Sequence, residues 1–230
     1  MADFLSQSSF FAIALTFLVW RLASWLQRKT KSMLLHPILV SVALIILVLL
    51  VTGVPNSAYQ QGMRILSWLM TPATVCLAVP LYEQVRILKK NLPAISLGVL
   101  CGTLTSLVCI GGLCLLFRLD QAMTISLLPK SVTTAIGAPI SEALGGMGSI
   151  TVAAIIVTGI LGNVFGSGAC RHLNIHDPVA QGVSFGTAAH VVGTSKANEM
   201  GEIQGAVSSL SLVVAGILTA FLLSILNIVL

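Results

Sequence analysis

Charge is what this chain has least of. Asp, Glu, Lys and Arg make up 8% of its 230 residues, where a soluble domain carries roughly 25%. With 56% hydrophobic residues and a mean hydropathy of +1.00, it cannot cover a globular surface with polar groups. Lipid is its main solvent. The period-two alternation of a membrane strand is missing as well. Apolar runs are continuous and about 20 residues long, which excludes a β-barrel and gives an all-α polytopic membrane protein.

Other absences narrow the function. There is no CxxC pair, zinc-finger spacing, glycine-rich phosphate loop or basic stripe. The cysteines at 76, 101, 109, 114 and 170 lie in or beside apolar segments and read as small packing residues. The net charge of +5 comes from basic residues at the ends of apolar runs, where the positive-inside rule and anionic lipid account for them. Nucleic acid is not an expected partner. Met1 to Phe10 lacks a basic n-region and carries Asp3, so the first run reads as a retained span, not a signal peptide.

Enzyme chemistry is equally poorly supported. His172 and His176 could share a helix face as zinc ligands, but Asp177-Pro178 interrupts the segment and no HExxH or third ligand is near. Ser131 or Ser195 with His190 would form a dyad without a nucleophile elbow. No catalytic residue, metal or cofactor is expected.

What the chain does have is spans. Phe4 to Trp25, Leu34 to Gly53, Leu69 to Tyr82, Pro93 to Phe117, Ser149 to Cys170 and Ala206 to Leu230 give about six full transmembrane helices in one domain over residues 1–230. Arg21, Arg28, Lys29 and Lys31 form the densest basic cluster and place that loop in the cytoplasm. Both termini then lie on the outer side of the membrane. His36-Pro37 opens the second span, with Pro37 in the first turn. Tyr59 to Trp68 mixes polar and apolar residues as an interfacial helix does. Pro72 and Pro80 make the third stretch a bent or broken helix.

Two segments are too polar and too broken for ordinary spans. Thr124 to Gly146 contains Pro129, Lys130, Gly137, Pro139 and Glu142, and reads as a re-entrant hairpin from outside that turns near Gly137 to Pro139. Val179 to Gly201 holds His190, Lys196 and Glu199 among glycines at 182, 186, 193 and 201. It reads as a second hairpin from the cytoplasm, with Asp177 as N-cap and Pro178 at the first position. Such backbone survives at membrane depth only where protein or a wet cavity satisfies it. Thr134-Ala-Ile-Gly137 with Glu142, and His190-Val-Val-Gly193 with Glu199, are weakly alike, the pattern of inverted repeats whose broken helices meet near the midplane.

Ionisable groups at that depth mark a binding site or pathway. Lys130, Ser131, Thr133, Thr134, His190, Thr194 and Ser195 are the candidate substrate-binding residues, with Thr187 and Lys196 as further donors. Helix N-termini could hold a small carboxylate. His190, Glu142 and Glu199 are the candidates for ion or proton coupling. The plainer readings stand beside these: Lys196 and Glu199 as an i,i+3 surface pair, and His190 as a hydrogen-bonded packing residue.

These two segments resemble the LrgB/CidB family of bacterial membrane proteins. The resemblance is carried by Leu128-Pro-Lys-Ser-Val-Thr-Thr134, Ile140-Ser-Glu142, Gly159-Ile-Leu-Gly162, Val164-Phe-Gly166, Gly186-Thr-Ala-Ala-His190, Gly193-Thr-Ser195, Glu202 to Ser209 and Val79-Pro-Leu-Tyr-Glu83. Ala135 stands where the family usually has proline, and Ala189 where it has serine, so one hydroxyl donor is lost. The resemblance implies one of two roles. One is a carrier of small carboxylates such as glycolate, glycerate or pyruvate, like the related plastid glycolate/glycerate transporters. The other is a holin/antiholin-like modulator of murein hydrolase export and lysis. It also implies a smaller LrgA/CidA-like membrane partner and a homo- or hetero-oligomer.

Overall fold

The structure is a computed structural model that describes residues 9–30, 37–76, 78–83 and 85–229. Phe4 at the expected start of the first span, and the expected loop residues Lys31 and His36, lie outside the described residues. Every regular element among the described residues is a helix, so the chain is an all-α polytopic membrane protein. It divides into two compact units, residues 1–76 and 77–230.

The first unit contains α1 (Ser9–Thr30), α2 (Pro37–Thr52) and α3 (Asn56–Val75). Pro37 occupies the first position of α2, as its missing N–H allows. Thr16 ties α1 to α3, donating to the Ala12 carbonyl at 2.7 Å and meeting the Tyr59 hydroxyl at 2.8 Å. The interfacial helix expected at Tyr59 to Trp68 is the front of the longer α3. The Lys29 ammonium lies 5.1 Å from the Trp25 ring centroid, a cation–π contact within the basic cluster that ends α1.

In the second unit, α4 (Ala78–Glu83) and α5 (Val85–Lys90) precede α6 (Leu92–Leu116). The expected third span, Leu69 to Tyr82, is thus divided between the end of α3 and α4. Then come α7 (Gln121–Leu127), α8 (Thr134–Ala143), α9 (Gly148–His172), α10 (Pro178–Met200) and α11 (Glu202–Val229). The helices long and apolar enough to cross a membrane are α1, α6, α9 and α11; α2 is a shorter apolar helix. At about 1.5 Å per residue, the 25 residues of α6 or α9 exceed a hydrocarbon core of about 30 Å.

The centre of this unit is α11. In its most apolar stretch 56% of residues are buried, against 17% in α6 and 22% in α9. Its inner face is made of small residues, Ala206, Ser208, Ser209, Ser211 and Ala215. Lipid removes the hydrophobic drive between helices, so close packing of small side chains and hydrogen bonds must hold the bundle.

Two helical hairpins pack against α9 and α11. The first is α7 and α8, joined by Leu128 to Thr133. Its turn lies there and not at Gly137 to Pro139, as the sequence suggested. Gly137 and Pro139 belong to α8. The missing Cβ of Gly137 serves packing, since a Cβ there would stand 2.8 Å from Ile155 Cδ1 and 3.2 Å from the Pro129 carbonyl oxygen. The second hairpin is α10, capped by Asp177, whose carboxylate accepts from the Ala180 N–H at 2.8 Å. Its backbone leaves helical geometry at Ala189 and His190, giving arms over 178–188 and 191–200. A Cβ on Gly193 would stand 2.7 Å from the Phe185 carbonyl oxygen. In a continuous helix those positions would be roughly 12 Å apart, so the chain doubles back.

The hairpins enter from opposite ends of α9. Near its start, the Met147 N–H donates to Ser126 Oγ, and Thr151 Oγ1 donates to Ser141 Oγ, both at 2.7 Å. Near its other end, Ser167 contacts Met200 Sδ at 3.7 Å, and Cys170 packs with Phe185 and Ala197. Between these, Ile155 and Gly159 receive parts of both hairpins. The inverted repeat extends past the hairpins. Glu142, Gly148, Thr151, Gly159, Ile160 and Leu161 recur at one constant offset as Glu199, Gly205, Ser208, Gly216, Ile217 and Leu218. The contacts recur in swapped form: Gly159 of α9 receives Val192 of the second hairpin, and Gly216 of α11 receives Ile136 of the first.

Candidate functional site

The hairpin tips converge on the middle of α9. The His190 ring reaches its backbone because Gly159, one turn beyond Ile155, has no Cβ to stop it. His190 Nε2 lies 2.9 Å from the Ile155 carbonyl oxygen. A carbonyl can only accept, so Nε2 carries the proton. His190 is 5% exposed and adopts φ 43° and ψ −138°, a conformation suited to glycine that costs other residues about 1–3 kcal/mol. The second arm is fixed by Asn163, whose amide donates to the Val192 carbonyl at 2.9 Å. Thr194 Oγ1 donates to the His190 carbonyl at 2.9 Å and accepts from Ser208 Oγ at 2.8 Å.

Where the tips approach α6 and α11 there is a small cavity of about 10 Å³, room for about one water. Hydroxyls of Thr103, Ser106, Ser131, Thr187 and Thr219 line it. Ser106 and Ser131 hydrogen-bond to each other at 2.8 Å. A larger recess of about 190 Å³ beside Gly162, Gly166, Phe185 and Ala188 is almost wholly apolar and offers little to read a polar solute.

The residues expected from the sequence separate into four groups. Ser131 and Thr187 share the small cavity. His190 and Thr194 are buried outside its lining and engaged with Ile155 and Ser208. Lys130, Thr133 and Thr134 are half-buried in the first hairpin, where Thr133 opens α8 without its hydroxyl capping the helix. Ser195, Glu142 and Glu199 are exposed. Glu142 lies over Gly148 at the start of α9. Glu199 pairs with Lys196 at 2.8 Å, with 65% of its side chain exposed, which is the plainer of its two readings. Among the described residues no cluster of His, Cys, Asp or Glu could hold a metal ion.

Sequence reasoning missed Thr103, Ser106, Thr219, Asn163 and Ser208. Hydroxyls scattered through apolar spans carry no local signal. The constant offset that pairs Thr151 with Ser208 and Gly162 with Thr219 could have found two of them.

Comparison with known proteins decides the family. The profile of the LrgB-like family matches residues 16–228. The chain belongs to the LrgB-like family. Relatives include the "Uncharacterized protein YwbG" of Bacillus subtilis, 36% identical over 208 residues, covering 90% of this chain and 92% of that protein. The "Holin-like protein CidB" of Staphylococcus epidermidis is 34% identical and that of Staphylococcus aureus 33%, each over 93% of both chains. No solved structure matches this LrgB-like chain. It is a membrane protein of a family with holin-like members, and the hairpin tips lie within the matched residues.

Proposed function

We propose that this LrgB-like protein carries small organic carboxylates across the bacterial inner membrane and has no enzymatic activity. The observation that supports the reading is the meeting of two oppositely entering hairpins around buried hydroxyls. An alternating-access carrier needs broken helices at its centre, whereas a membrane lesion needs only spans that associate. In this reading Lys130 supplies charge, Thr133 and Thr134 supply hydroxyls, and the N-termini of α8 and of the 191–200 arm supply N–H groups to an anion. His190 holds the second tip at working distance. A cavity of about 10 Å³ is too small for a two- or three-carbon acid, so the tips must part to load it. An LrgA-like membrane protein is the proposed partner, in a homo- or hetero-oligomer.

The test is uptake of labelled glycolate and pyruvate into proteoliposomes containing a trapped dye, with and without an LrgA-like protein. Saturable, competable uptake with the dye retained is expected. The holin-like names of the staphylococcal relatives favour a second reading, modulation of murein hydrolase export and lysis. Dye release without saturation would support it and overturn the carrier.

A further inference from the structure

The hydroxyl-lined cavity differs in kind from an anion site. Two of its lining residues sit at the carbonyl ends of helices: Leu128 is the C-cap of α7, and Thr187 is in the last turn of the 178–188 arm. Those ends carry the negative pole of the helix dipole. One of its hydroxyls is also turned to accept. Thr187 Oγ1 donates its proton to the Val183 carbonyl at 2.7 Å, leaving lone pairs for the cavity. Ser106 and Ser131 use one proton between them. Thr103 is 3% exposed, and its Oγ1 is buried with no hydrogen-bond partner, although it lines a space the size of one small particle. Buried hydroxyls ordinarily have partners, and one without them beside a cavity can meet a water or an ion there. Neither Lys130 nor His190 is among the lining residues.

We propose that this cavity binds one dehydrated monovalent cation of sodium size, coordinated by the hydroxyl oxygens of Thr103, Ser131 and Thr187. No carboxylate lines the cavity, which argues against calcium or magnesium, whose sites draw on Asp and Glu. Oxygen ligands replace the ion's hydration shell, as unwound backbone and half-helix C-termini do at cation sites in transporters. The site lacks a countercharge of its own. Resting here on the carrier reading above, a bound carboxylate supplies that charge, so each ligand raises the other's affinity by the same factor.

The purified protein, in choline chloride at fixed ionic strength, is titrated with sodium or potassium while its melting temperature is followed. Labelled glycolate uptake is measured in the same buffers. A saturable rise in melting temperature with sodium, weakened about tenfold or more in Thr103→Val and restored in Thr103→Ser, supports the site. Equal melting in sodium, potassium and choline overturns it and leaves the cavity to a water. Uptake indifferent to sodium, together with equal melting, removes the cation site but keeps the carrier. Sodium stabilisation without uptake in any buffer keeps the site and removes the carrier.

Discussion

His190 donates through Nε2 to the Ile155 carbonyl oxygen at 2.9 Å, and the Ile155 side chain faces Gly137 in the opposite hairpin. One residue of α9 therefore touches both broken segments, by its backbone on one side and its side chain on the other. Replacing His190 removes the bond and leaves a void, while the backbone strain at φ 43° remains. His190→Ala is expected to lose about 2–4 kcal/mol of stability and to reduce transport while still folding. His190→Gly should recover about 1 kcal/mol through backbone relief. Thermal melting in detergent and uptake check both. Wild-type uptake by His190→Ala would remove the residue from the site.

Gly159 is the opening through which the ring passes, since a Cβ there would stand 2.6 Å from the His190 ring. Gly159→Ala should cost about 1–3 kcal/mol through overpacking and impair uptake. Gly168, in the same helix, has nothing within 4 Å of its would-be Cβ. Gly168→Ala should be neutral or stabilising by up to about 1 kcal/mol, as helix propensity dictates. Equal melting temperatures for the two variants would contradict the packing of the tip on α9.

Thr194 and Ser208 are buried partners. Thr194→Val leaves the Ser208 hydroxyl and the His190 carbonyl short of a partner and should cost about 1–3 kcal/mol. Adding Ser208→Ala should cost less than the sum of the single variants, because it removes the hydroxyl that was left unpaired. Additive losses in a double-mutant cycle would argue against the bond.

The exposed Lys196–Glu199 pair is worth less than about 1 kcal/mol. Glu199→Gln should keep stability and uptake close to wild type. Loss of uptake with normal melting would return Glu199 to the coupling role that its sequence neighbourhood suggests.

Both hairpins could be read in the sequence because glycine, proline and charge occur together there in otherwise apolar surroundings. The turn of the first was harder to place. Gly137-Ala-Pro139 has turn residues, yet that glycine is needed for close approach to Pro129 and Ile155, and Pro139 rides within α8. The second tip falls on His190, a non-glycine residue held at positive φ by contacts distant in sequence, which local propensity cannot see. Lys130 and Glu142 attracted attention as charges, while the cavity draws its hydroxyls from two spans and two hairpins. The long apolar helices and the two interrupted segments were legible because hydropathy follows local composition. Which hydroxyls converge depends on packing.

Topology has its own check. In a background with the native cysteines replaced, a cysteine at Lys31 should react with impermeant reagents only from the cytoplasm. Labelling from outside would invert the scheme derived from the basic cluster.

The most direct test of a carrier working through its hairpin tips uses Ser131→Cys in that same cysteine-free background. A small thiol reagent should block glycolate uptake by this variant, and glycolate bound between the hairpin tips should slow the modification by covering the cavity. Thr187→Cys, across the same cavity, should behave alike. Complete modification of both cysteines with uptake unchanged would contradict the account, because the substrate would then pass elsewhere.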